Sequence, residues 1–119
     1  PSPARRYTCS AGFVEPGETA EEAACREVFE ETGISCKPSL AHFVASQPWP
    51  SDMGNQLMLG FILQGDNDQI VIDKSELEDV QWVSLDVVKT ALARKPTNIS
   101  LPGQYAIACN LLTKWASQL

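Results

Sequence analysis

Long apolar runs are missing from this chain. No stretch reaches the ~18 consecutive apolar residues of a membrane span, and no signal peptide is visible at its start, so an intracellular, cytoplasmic protein with no membrane partner is expected. Cysteine is sparse and unpatterned. Cys9, Cys25, Cys36 and Cys109 form no C-x-x-C pair and show no ligand-like spacing with the single histidine, so no zinc site is expected and the thiols read as reduced. That histidine, His42, sits in an apolar run, where a core or rim position is expected rather than a metal ligand. Basic residues are also in short supply, nine Lys+Arg against fifteen Asp+Glu for a net charge of −6, which argues against DNA as a partner. An acidic chain still binds phosphates where cations supply the positive charge. Internal repeats and low-complexity segments are absent.

What is present is an ordinary globular composition. At 119 residues and 44% hydrophobic, the chain can bury one core and is expected to be a single domain. An irregular start leads into an expected edge strand at about Tyr7 to Ala11, then a loop over Gly12 to Gly17. Thr19-x-x-Glu22 reads as a capping box that opens a helix, and Gly33 stands where a left-handed cap would end it. Ala20, Ala23, Ala24, Val28 and Phe29 form its packing stripe. Strands are expected at Ser39 to Ala45, Gln56 to Gln64, Ile70 to Ile72 and Val80 to Val83, and Gln56 to Gln64 reads as a central strand covered on both faces. Ser46 to Pro50 reads as rigid loop between prolines. Ser84 caps a helix to about Arg94, with Leu85, Val88, Ala91 and Leu92 inward, and a proline-containing connection over Lys95 to Gly103 follows. The last helix, about Tyr105 to Ser117, buries Ile107, Leu111 and Trp115. Trp82 and Trp115 are expected in the core. This order of elements predicts an α/β fold with a mixed β-sheet sandwiched between α-helices.

The chemistry concentrates in Gly12 to Ile34, GFVEPGETAEEAACREVFEETGI. On a helix Glu27 and Glu31 lie about 40° apart around the axis, with Glu30 about 60° to the other side of Glu27. Three carboxylates on one face repel one another unless water solvates them or hard divalent cations bridge their oxygens. The acids alone leave both readings open.

The spacing separates them. Gly12, Glu18, Arg26, Glu27, Val28, Glu30, Glu31, Gly33 and Ile34 match every fixed position of G-x5-E-x7-R-E-U-x-E-E-x-G-U, with U a bulky apolar residue. This is the Nudix box, and the chain resembles the Nudix hydrolases, which cleave nucleoside diphosphates linked to another moiety. Ser46-Gln47-Pro48-Trp49-Pro50 looks like the start of the S-Q-P-W-P-F-P-x-S array of the NADH pyrophosphatase branch. Val71 to Leu77, Trp82, Leu101-Pro102-Gly103 and Ala106-Ile107-Ala108 also have counterparts there. The array is interrupted after Pro50 by Ser51 to Gln56, which places nicotinamide selectivity in question. The zinc ribbon and sheet segment that precede the domain in the family are not seen before Tyr7, so a piece of a longer protein or a cleaved product is expected.

The resemblance implies Mg²⁺- or Mn²⁺-dependent hydrolysis of NADH- or NAD-type dinucleotides to a mononucleotide and AMP. It assigns the metals to Glu27 and Glu31, with Glu30 as an additional or outer ligand, the Ala11 carbonyl completing the site, and Glu76 reaching the metals or acting as general base. Glu76 also reads as a solvated loop acid. Arg26 is expected to orient Glu18 or Glu30 rather than touch substrate, and Gly12 and Gly33 are backbone devices. Substrate contacts fall on Tyr7, which stacks on a base in the family, on Gln47, Pro48, Trp49 and Pro50, and on Ala108. Three other activities remain beside this one: ADP-ribose or other nucleoside-diphosphate hydrolysis, removal of NAD caps from RNA, for which no basic or aromatic track is visible, and nucleotide binding without turnover. A scaffold has no specific support. Family members pair as homodimers. The end, Ser117-Gln118-Leu119, resembles a weak form of the S-K-L peroxisomal address and equally reads as a helix end.

Overall fold

Thr19 ends an irregular stretch by closing two hydrogen bonds at once. Its hydroxyl accepts from Glu22 N at 3.1 Å, and Glu22 Oε1 accepts from Thr19 N at 2.9 Å, which satisfies two donors that a helix start leaves open. The structure, a computed structural model, describes residues 5–52, 54–72, 75 and 79–118. Its elements are strand β1 (Arg5–Arg6), helix α1 (Ala20–Thr32), a 3-10 turn (Pro38–Leu40), strands β2 (His42–Ser51) and β3 (Gly54–Ile62), helix α2 (Leu85–Leu92), strand β4 (Ile99–Ser100) and helix α3 (Ile107–Ser117). The class is α/β. Among the described residues the strands form two two-stranded sheets, β1 with β4 and β2 with β3. No helix among them is long and apolar enough to cross a membrane.

The chain divides into two compact units, each assembled from separated segments. One comprises Ser10–Phe43 and Phe61–Trp82 and contains α1. Gly33 ends that helix at φ 75°, and its N–H donates to Phe29 O at 2.8 Å. Val71 N donates to Thr32 O at 2.7 Å, which supplies one more of the open carbonyls at the helix end. Ala23, Cys25, Glu31, Thr32 and Ile34 are buried in this unit, and Phe43 and Phe61 meet edge to face at 5.6 Å.

The other unit comprises Pro1–Cys9, Val44–Gly60 and Val83–Leu119. α2 packs on α3, with Val88 and Ala91 of the first and Ile107, Ala108, Cys109 and Ala116 of the second buried. β1 runs parallel to β4, Arg5 opposite Ile99 and Arg6 opposite Ser100, and Tyr7 N continues the ladder to Ser100 O at 2.9 Å. Gly60 lies where a Cβ would sit 2.9 Å from Leu111 Cδ2 and 3.0 Å from Ile107 Cδ1, so its missing side chain is what lets β3 approach α3.

Several expected elements are placed differently. The first strand is Arg5–Arg6 rather than Tyr7 to Ala11, because its partner is the two-residue β4 inside the expected connection. The strand expected from Ser39 begins at His42, after a 3-10 turn started by Pro38, and runs on through Ser46 to Pro50, expected as loop. Prolines at alternate positions turn their missing donors to one edge, and a strand in a two-stranded sheet has a free edge to accept them. β3 is not a covered central strand among the described residues, since it pairs with β2 alone and leaves Leu57 and Leu59 exposed. Ile70 to Ile72 and Val80 to Val83 are irregular. In the first of these, Val71 N is spent on a helix carbonyl rather than on a sheet partner.

Trp82 is 61% exposed, not core, and its Nε1 donates to Asp68 O at 2.7 Å. Phe29 and His42 are exposed as well, while Leu111 and Trp115 are half-buried. α2 stops at Leu92, because Arg94 adopts a left-handed φ of 59°. Asp73, Lys74, Glu76, Leu77 and Leu119 lie outside the described residues.

Candidate active site

The acidic helix is electrostatically at odds with itself. Glu30 and Glu31 stand in the last turn of α1, where the helix dipole already presents negative charge and the turn itself carries no basic residue.

Arg26 holds the cluster together. Its Nε and Nη2 take the two oxygens of Glu18 at 2.7 and 3.0 Å, a fork that only a guanidinium can make. Nη1 reaches Glu27 Oε1 at 2.8 Å and Glu30 Oε2 at 3.2 Å, and Nη2 also donates to Phe13 O at 2.9 Å. The glycine-rich loop is thereby fastened to α1 through one side chain. The Arg26 hydrogen bonds, with help from the N–H of Glu15, hold the Glu18 carboxyl below its ordinary range. Glu18 first and Glu27 next keep Arg26 more firmly protonated still.

Glu31 is only 7% exposed, and a buried carboxylate requires partners. Ser10 supplies one, its hydroxyl donating to Glu31 Oε2. Gly12 sits directly against the Glu27 carboxyl, so that any Cβ at residue 12 would occupy the space of the Glu27 side chain. The motif glycine therefore acts as a clearance for a carboxylate. Ala11 lies exposed in the same irregular stretch.

The donor set suits a hard divalent cation. Glu27, Glu30 and Glu31 offer carboxylate oxygens from one helix, the hard donors that divalent cations take. Among the described residues no three acidic, histidine or cysteine side chains already converge as a ready-made cage. Arg26 draws Glu27 Oε1 and Glu30 Oε2 to itself, while Ser10 engages Glu31. Glu76 lies outside the described residues.

In the other unit, an open concavity of about 520 Å³ is lined by Ser46, Gln47 and Pro48 of β2 and by the chain entering α3, including Tyr105, Ile107 and Asn110. Gln47 has a role that the sequence does not disclose. Its Oε1 accepts from Ile107 N at 2.9 Å and its Nε2 donates to Tyr105 O at 2.8 Å, so a β2 side chain caps the start of α3. Ala106, the residue at the cap position, makes no side-chain cap of its own. Trp49 and Pro50 are exposed and are not among the lining residues. Ala108 is buried in the first turn of α3, its carbonyl 3.9 Å from Cys9 Sγ, while its neighbours Ile107 and Cys109 reach the concavity. Tyr7 is half-buried beside Ser100. The capping role of Gln47 and the Ser10–Glu31 contact have no local sequence signal, since each joins residues far apart in the chain.

Comparison with known proteins adds kinship to geometry. The model of the NUDIX domain matches residues 1–101. Nudix hydrolase 19, chloroplastic, of Arabidopsis thaliana is 52% identical over 92 residues, covering 75% of this chain and 20% of its own length. The NAD-capped RNA hydrolase NUDT12 of Homo sapiens is 40% identical over 114 residues, 95% of this chain and 24% of that protein. The NAD-capped RNA hydrolase NudC of Haemophilus influenzae is 51% identical over 80 residues, 67% of this chain and 29% of that protein. The chain thus spans less than a third of each of these relatives. The names of the last two agree with the branch expected from Ser46 to Pro50.

Proposed function

The chain belongs to the NUDIX domain family, and from that premise we propose that it hydrolyses the pyrophosphate bond of NADH- or NAD-type dinucleotides to a mononucleotide and AMP. The observation that carries this reading is the α1 carboxylate face, which Arg26 ties to the glycine-rich loop and Ser10 steadies at Glu31. Relatives named NAD-capped RNA hydrolase support the choice of an NAD-type substrate.

Glu27, Glu31 and Glu30 are the residues that would hold Mg²⁺ or Mn²⁺, with the Ala11 carbonyl and Glu76 as the further ligands implied by kinship. A divalent cation bound there offsets the pyrophosphate charge that repels an attacking water. The protein's own part is positioning. Arg26 fixes the direction of the Glu27 and Glu30 carboxyls and keeps the Phe13 carbonyl near the helix. Gly12 leaves Glu27 the room to turn.

The test is a panel of NADH, NAD and ADP-ribose with Mg²⁺ and with Mn²⁺ in isotopically labelled water, identifying which phosphorus receives the label. NADH or NAD should be cleaved to AMP and a mononucleotide. Clear preference for ADP-ribose would overturn the dinucleotide assignment. Glu31→Gln should lower the rate by ~10² or more, because one charged ligand is lost, and equal turnover by both proteins would refute the site. The names of the relatives also favour a second reading, removal of an NAD cap from RNA. Release of nicotinamide mononucleotide from RNA carrying a 5′ NAD supports it, and an untouched transcript counts against it. A homodimer belongs to the same proposal, and a monomer mass by light scattering would remove it.

A further inference from the structure

The three carboxylates of the α1 face share a detail that their spacing leaves open. Each has one oxygen engaged by a donor of the protein itself. Arg26 Nη1 takes Glu27 Oε1 at 2.8 Å and Glu30 Oε2 at 3.2 Å, and the Ser10 hydroxyl donates to Glu31 Oε2. Arg26 belongs to the motif, whereas Ser10 precedes its first glycine and has no role in it. Ser10 nonetheless serves the buried acid of the three, since Glu27 is half-buried and Glu30 exposed. Burial makes that hydroxyl count. A hydrogen bond to a charged group is stronger where water competes less for it, and a side chain packed in the fold has little room to turn and offer a different oxygen.

The number of oxygens a carboxylate offers matters to cations of different size. Ca²⁺ takes about six to eight oxygens in a flexible shell and accepts both oxygens of one carboxylate at once. Mg²⁺ is smaller and demands a near-ideal octahedron, as Mn²⁺ prefers, and an octahedron has no place for the narrow bite of a chelating carboxylate. We propose that Ser10 is a specificity-determining residue for the cation. By holding Glu31 Oε2 it makes Glu31 a one-oxygen ligand, which favours Mg²⁺ and Mn²⁺ over Ca²⁺. The proposal rests on the metal-dependent hydrolase reading above, and Ser10 and Glu31 both belong to the unit that contains α1.

Cation binding read without substrate tests it. Mn²⁺ is titrated into wild type, Ser10→Ala and Ser10→Thr, with the free ion followed by its electron paramagnetic resonance signal, and Ca²⁺ is then added as competitor. The quantity read is the ratio of Mn²⁺ to Ca²⁺ affinity, from which a general loss of folded protein cancels. Wild type should prefer Mn²⁺. Ser10→Ala should lower the ratio about ten-fold, the scale of one hydrogen bond to a charged group, and Ser10→Thr, which keeps a hydroxyl, should keep the wild-type ratio. An unchanged ratio in Ser10→Ala, a Ser10→Thr ratio as low as that of Ser10→Ala, or a wild type with no preference for Mn²⁺ would overturn the role of Ser10. Dinucleotide cleavage by a protein whose ratio ignores Ser10 would remove this proposal and leave the hydrolase reading standing. A Ser10-dependent ratio in a protein that cleaves no dinucleotide would do the reverse.

Discussion

Glu18 and Arg26 decide the most at the scale of single residues. The Glu18 carboxyl is held below its ordinary value of 4.5, so the folded state binds its proton less readily than the unfolded chain does. The stabilisation is present above the unfolded pKa and is lost as pH falls through the lower, folded one. Melting curves should therefore show the wild type losing stability below about pH 4.5, and Glu18→Gln should lose less over that same window. An identical acid profile in both proteins would mean that the ion pair does not form in solution. Arg26→Lys replaces a fork with a point charge that cannot serve both oxygens of Glu18 and the Phe13 carbonyl together. Gly12→Ala drives a methyl group into the Glu27 carboxyl. Each should cut turnover on the order of ten-fold or more, with a melting temperature near that of wild type for Gly12→Ala, because the fault lies in carboxylate placement. The sequence spacing already identified Arg26 and Gly12, but it could not say that one arginine serves three acids, nor that the glycine clears room for a carboxylate.

Among the elements, helix ends follow local rules and strands follow their partners. Thr19, Ser84 and Gly33 act where the sequence places them, because a cap needs only atoms within a few residues. Thr19→Ala should cost about 1 kcal/mol in denaturant unfolding, the usual worth of a side-chain cap. The end of α2 works differently. Arg94 adopts a left-handed conformation that costs a residue with a Cβ about 1–2 kcal/mol, and its fork in return donates to Leu101 O at 3.3 Å and Pro102 O at 2.9 Å. Arg94→Ala, which keeps the strain and loses the fork, should be the less stable of two variants, and Arg94→Gly, which loses both, the more stable. The reverse order would show that the left-handed backbone at residue 94 imposes no strain on a side chain. Strand limits were misplaced for the opposite reason. β1 exists because β4 lies beside it, and β2 carries two prolines because among the described residues it has a free edge, and neither fact is local.

For the molecule as a whole, three of the thiols report on burial. Desolvation is the leading cause that pushes Cys9, Cys25 and Cys36 above the ordinary thiol value of 9.0, with Cys109 adding to it at Cys9, Asp66 at Cys25, and Cys25 and Asp66 at Cys36. A raised folded pKa favours the neutral thiol, so this contribution is complete below the unfolded pKa and disappears as pH rises through the folded one. The native protein should therefore react slowly with a disulfide reagent at neutral pH, quickly once unfolded, and lose stability in alkali. Rapid reaction of Cys25 and Cys109, the two buried thiols, in the native state would contradict this. By itself the sequence determined the family, the α1 helix with its caps, and the face on which three carboxylates gather, because each of these depends on spacing within one turn or one loop. Only the tertiary structure decided that Ser10 engages Glu31, that Gln47 caps α3, that Gly60 admits a helix, and that Trp82 and Phe29 face solvent. Those are contacts and exposures between residues distant in the chain, set by which segments meet after folding rather than by the neighbours each residue has along the backbone.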